Sequence, residues 1–104
     1  MAPSGLDALR EELEKVFDKV VGERRGRRLE LFVRRGDASY LVCAEAGERA
    51  LFAKVVDASW GLADCGDALY DPRGLYAFSD DPRELARKVA EKAAMLSARG
   101  SGES

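Results

Sequence analysis

The stretch Leu29-Glu30-Leu31-Phe32-Val33-Arg34-Arg35-Gly36-Asp37-Ala38-Ser39-Tyr40-Leu41-Val42-Cys43-Ala44-Glu45 decides the fold. Leu29, Leu31 and Val33 alternate with Glu30, Phe32 and Arg34, which is the two-residue period of a strand. Gly36-Asp37 makes a tight connection, after which Tyr40, Val42 and Ala44 alternate with Leu41 and Cys43. Ala46-Gly47-Glu48 turns the chain again into a third strand over 51–56. Links this short require antiparallel neighbours, because a parallel pair needs a crossover of about a dozen residues or more. Phe32, Leu41 and Phe52 make the second face of this meander partly apolar. That face is expected to be covered by the later segment or by another subunit.

Upstream, Leu6, Leu9, Leu13, Val16, Phe17 and Val20 recur at three- and four-residue steps, one face of an amphipathic helix. Ser4 with Asp7 reads as its cap, and Gly22 as its stop. Downstream, residues 57–81 are irregular, with Leu75-Tyr76-Ala77-Phe78 short and aromatic enough for a fourth strand. Asp81 as cap, Pro82 at the first helical position and Glu84 as the capping-box acid open a last helix. Its buried stripe is Leu85, Val89, Ala93 and Leu96, and Ala86, Ala90 and Ala94 would admit a close neighbour. The order α-β-β-β-(β)-α gives an α+β fold in two layers, an antiparallel meander packed against N- and C-terminal helices. Residues 1–99 are expected to form one domain and 100–104 a disordered tail.

The 104 residues contain no His, Asn, Gln, Ile or Thr. This removes the commonest general base, the commonest transition-metal ligand and every amide that reads a base edge. Gly-rich phosphate motifs are missing as well, so no catalytic site and no cofactor is expected. Low amide content with abundant Arg and Glu fits a thermophilic source, for which GC-rich coding is the rival explanation. No apolar run approaches the ~20 residues of a membrane span, and the first residues lack a secretory pattern, so no membrane and a cytoplasmic location are expected.

Two charged groups are candidates for binding. Six arginines against two acids give residues 22–35 a local balance of +4, although the whole chain carries −2. Arg24, Arg25, Arg27 and Arg28 sit in a connection that Gly26 makes flexible. Arg34 and Arg35 end the first strand, roughly 20 Å away at ~3.3 Å per residue. Their guanidinium forks suit phosphates, so a nucleic-acid contact is the alternative reading. Residues 36–82 carry nine acids against three bases. Asp64, Asp67 and Asp71 would converge on a metal only if 62–70 were helical, and Gly66 interrupts that stretch. Loop solubility is the expected role, with no metal site.

The topology over 5–56 is loosely similar to the restriction-endonuclease-like core, with Asp37 before a strand and Lys54 on the next. Phe52 stands two residues before Lys54, where the metal-binding acid belongs, so any such relative would be inactive. Cys43 is expected in the core and Cys65 as the more exposed thiol; whether they pair is left open. Trp60, Tyr70, Tyr76 and Phe78 concentrate in the irregular segment and are candidate interface anchors. The reading as a whole is a non-catalytic module that works by association, as a homodimer or with a protein partner in a larger assembly.

Overall fold

The computed structural model describes residues 5–61 and 64–102, with side chains through residue 98. Of the expected tail 100–104, residues 100–102 continue the last helix instead, and residues 103–104, like the expected cap at Ser4, lie outside the described residues. In chain order the elements are α1 (Gly5–Val16), β1 (Lys19–Arg25), β2 (Arg28–Arg35), β3 (Ala38–Ala46), β4 (Leu51–Asp57), a 3-10 turn (Ala58–Trp60), α2 (Cys65–Ala68), β5 (Leu75–Ser79) and α3 (Pro82–Gly102). The strands form one antiparallel meander in the order β1-β2-β3-β4-β5. Fold class and layering are as the alternation implies, and the strand expected at 75–78 is β5.

The first helix is shorter than its periodicity suggests. Phe17 N donates to Leu13 O at 3.0 Å to close the last turn, and Asp18 N donates to Arg34 O at 2.8 Å, already in the sheet. Residues expected to extend the helix form β1 instead, with Val20 opposite Val33 and Val21 opposite Phe32. Two consecutive β-branched residues favour a strand. From that strand Val20 packs on the same apolar layer it would have met from a helix, so helical spacing could not tell the two apart. Gly22 is therefore not a helix stop. It sits in β1 at φ +138°, where an added Cβ would run into the Glu30 carbonyl and approach the Leu31 Cα at 2.9 Å. The Arg24–Arg28 connection is likewise mostly paired backbone, with Arg25 opposite Arg28, leaving only two residues in the turn.

One face of the sheet holds the main core. Leu29, Leu31 and Val33, Tyr40, Val42 and Ala44, and Ala53 and Val55 pack against Leu6, Leu9 and Leu13 of α1 and Leu85, Val89, Ala93 and Leu96 of α3. Register aligns the layers, with Leu31 opposite Val42 and Val42 opposite Val55. Burying a Leu or Val side chain contributes about 1.5–3 kcal/mol, which makes this layer the main source of stability. The Tyr40 hydroxyl, entering the layer from β3, is satisfied by Ser97 Oγ on α3. At the start of α3, Asp81 Oδ1 accepts from Arg83 N at 3.0 Å. Glu84 meets the Ser79 hydroxyl, which itself accepts from Asp81 N at 3.1 Å, so the capping box closes through Ser79. Among the described residues, no helix is long and apolar enough to cross a membrane.

Gly22 and Gly26 both have positive φ, but only Gly22 is crowded. Gly22→Ala is expected to lower the unfolding free energy in urea by about 2–4 kcal/mol. Gly26→Ala, with nothing within 4 Å of its added Cβ, should cost about 1 kcal/mol.

Candidate interaction surface

Among the described residues, the face of the sheet turned away from α1 and α3 is covered only in its middle. Strand alternation sends Val21, Phe32, Leu41, Cys43, Phe52, Lys54, Val56, Tyr76 and Phe78 to it. Between β4 and β5 the chain folds back over β3 and β4, and α2 seats Cys65 and Ala68 on Leu41, Cys43 and Val56. Asp64 caps this single turn, its Oδ1 accepting from Asp67 N at 3.1 Å. Cys65 is thus fully buried, contrary to the expectation of an exposed thiol, because the turn points it inward. It forms a disulfide with Cys43, with the two Cα atoms 5.7 Å apart.

Lys54 supplies the second anchor. Its side chain leaves β4 beneath the covering segment, and its ammonium donates to Leu69 O at 3.0 Å and Asp71 O at 2.5 Å. The Tyr76 ring lies 5.0 Å from the same nitrogen. Burial pushes the Lys54 pKa down, and the nearby Asp71 charge partly opposes that shift. The Asp71 carboxylate turns the other way and takes a two-pronged contact from Arg73, Nε to Oδ1 at 3.0 Å and Nη2 to Oδ2 at 2.6 Å. The Arg73 guanidinium in turn lies 4.2 Å from the centre of the Trp60 ring. The side-chain and backbone hydrogen bonds from Arg73 hold the Asp71 carboxyl well below its ordinary range, at about 2. Every polar group of this network has a structural partner, and an ammonium committed to two carbonyls is poorly placed to act as a base.

This layer separates two apolar strips. Val21 (44% exposed) and Phe32 (43%) lie on the β1–β2 side, and Tyr76 (42%) and Phe78 (58%) on the β4–β5 side. On the latter, Phe78 stacks on Tyr76 with ring centres 6.0 Å apart and lies 6.1 Å from Phe52. Tyr70, just past α2, is 89% exposed. Of the four aromatic anchors expected from sequence, Tyr70, Tyr76 and Phe78 are therefore accessible. Trp60 instead packs against both apolar clusters. Val21, which a helix ending at Gly22 would have contained, joins this surface from β1.

The six arginines do not make one patch. Arg24 comes within 3.7 Å of Asp7 of α1, Arg25 within 3.5 Å of Glu23, and Arg28 within 3.4 Å of Glu45. Arg27, Arg34 and Arg35 have no ion pair among the described residues. Arg34 shares the open face with Lys19, which it pairs across the strands, while Glu23 and Glu30 occupy the next charged row. The acids do not converge either: Asp64 caps α2, Asp71 binds Arg73, and no group of three or more metal-ligating side chains occurs among the described residues. Asp37 lies in the exposed β2–β3 turn, away from the buried Lys54.

Both sheet edges are blunted by cations reaching across from the helices. Arg10 Nη1 donates to Gly22 O on β1 at 2.6 Å, and Lys88 Nζ to Phe78 O on β5 at 2.8 Å. Charged side chains at edges oppose strand addition. In comparisons with protein-family models, with curated proteins and with solved structures, the chain matches none.

The disulfide closes a segment of 22 residues, for which the chain-entropy relation gives about 3 kcal/mol. Replacing both cysteines by Ala is expected to lower the unfolding free energy in urea by about that amount. Since the folded-state pKa of Asp71 is depressed to about 2, its stabilisation is complete above roughly pH 4 and fades as pH falls toward 2. Thermal unfolding should accordingly separate wild type from Asp71→Asn most at neutral pH, with the gap narrowing in acid.

Proposed function

We propose that this chain is a non-catalytic module that works by association through the helix-free face of its sheet, as a homodimer or as a small subunit of a larger assembly. The observation that carries the reading is the pair of exposed apolar strips flanking α2 on that face. Large side chains grouped on one face and accompanied by polar residues are the usual mark of a contact surface. Phe78 and Tyr76 are suitable anchors, since aromatic residues contribute large areas at low entropic cost. The polar network beneath α2 supports the same reading, because its ionisable groups serve the covering layer and none is left over for chemistry. The capped edges favour contact through the face over strand addition.

Native size exclusion of the endogenous protein tests this directly. It should elute in an assembly heavier than the 11.4 kDa chain, and Phe32→Asp combined with Tyr76→Asp and Phe78→Asp should release it as monomer. Elution of the endogenous protein at monomer mass, together with a purified chain that stays monomeric at millimolar concentration, would count decisively against association.

Nucleic-acid binding is a second reading, favoured by one observation: Lys19 and Arg34 face each other across β1 and β2 without ion partners among the described residues. Three of the six arginines are engaged by acids and Glu23 and Glu30 share the surface, which weakens it. With association as the function, anisotropy of labelled single- and double-stranded DNA and RNA should stay flat even at low salt. Salt-sensitive binding at micromolar protein, lost in Arg34→Ala with Arg35→Ala, would transfer the function to the basic residues.

A further inference from the structure

We infer that the β4–β5 strip, built on Phe52, Tyr76 and Phe78, is the seam of a two-fold dimer of this chain. The inference rests on the association reading and specifies its partner and its place. A second copy can approach the open face in two simple ways. With the two-fold axis across the strands, each α2 layer would meet the other α2 layer, and the sheets would be held well beyond the ~10 Å at which two faces interdigitate. With the axis along the strands at one side of the sheet, each α2 layer lies beyond the other copy's edge strand and the bare strips meet. This second arrangement brings each strip against itself, so a strip is usable only if it does not oppose like charges.

That condition separates the two sides. The β1–β2 strip carries Lys19 beside Arg34, Glu23 beside Glu30 and Arg25 beside Arg28, row by row. Facing its own copy, it would set cation against cation and acid against acid. The β4–β5 strip presents uncharged rings, with Phe52 opposite Phe78. Its only charged member, Lys54, is withdrawn beneath α2 and held by the carbonyls of Leu69 and Asp71. Ring against ring is favourable in offset or tilted arrangements of the kind Phe52 and Phe78 already adopt within one copy. Tyr70 is highly exposed and follows Leu69, whose carbonyl accepts from the Tyr76 hydroxyl, so it borders the seam. Three partly covered rings per copy make a small contact, below the ordinary ~800 Å² per partner, so the dimer is weak and concentration-dependent.

Sedimentation velocity of the purified chain from micromolar to millimolar concentration tests the seam. The wild type should pass from 11.4 kDa to twice that mass. Phe78→Asp, at a site more than half exposed, should stay monomeric throughout while keeping its circular dichroism, and Phe32→Asp should dimerise like wild type. As a check independent of any variant, amide hydrogen exchange of the wild type should slow in β5 and stay unchanged in β1 as concentration rises. A wild type that is monomeric at millimolar concentration overturns the seam, while a heavier native assembly would still support association. A dimer that survives Phe78→Asp and dissociates with Phe32→Asp also overturns it, and leaves association standing on the other strip.

Discussion

The ammonium of Lys54 is the interaction on which the open face depends. A charge withdrawn from water beneath a protein layer is costly unless it is hydrogen-bonded, and here its partners are the carbonyls of Leu69 and Asp71. Satisfying the charge therefore fixes the backbone just after α2. The Asp71 side chain is then turned to Arg73, and Arg73 onto Trp60, which packs against the apolar clusters on both faces of the sheet. A segment whose described α-helix is a single turn gains no stability from that helix alone. It is held as a layer by this network, by the Cys43–Cys65 bond and by a small apolar cluster.

That layer gives the open face its form. Without it, Leu41 and Val56 would join Phe32 and Phe52 in one broad apolar face on a small domain. With it, the face is divided into two narrow strips of different chemistry, one with charges in ordered rows and one aromatic and neutral. The cations at the sheet edges occupy one carbonyl of each edge strand, Gly22 O and Phe78 O, which opposes strand addition there. On the proposed reading, contact with another molecule goes through a surface of side chains with definite chemistry. Such a surface discriminates between partners better than exposed backbone, which pairs with any strand.

Much of this architecture was legible in the chain. The alternation over 29–45 and 51–56, with links too short for crossovers, required an antiparallel meander, and Asp81-Pro82 marked the start of α3. The site was legible in part: Phe32 and Phe52 were seen on the second face, and Tyr70, Tyr76 and Phe78 were singled out. Val20 was misread because an apolar residue three positions after Phe17 satisfies a helix and an inward-facing strand equally. Cys65 was misjudged because a residue between Asp64 and Gly66 looks solvent-facing until the turn carrying it is laid on a sheet. The arginines looked like a cluster in one dimension, yet alternation sends Arg24 and Arg25 to opposite faces.

The sequence by itself determined the strand periods, the apolar layer beneath α1 and α3, the turn chemistry and the poverty of catalytic residue types. Each of these follows from local spacing or composition, which no folding event alters. Only the tertiary structure decided that 64–74 lies across the open face, that Cys43 meets Cys65, and that Lys54 spends its charge on two carbonyls. These pairings join positions 15 to 22 residues apart through an irregular segment, where no periodicity records which face the chain will cover.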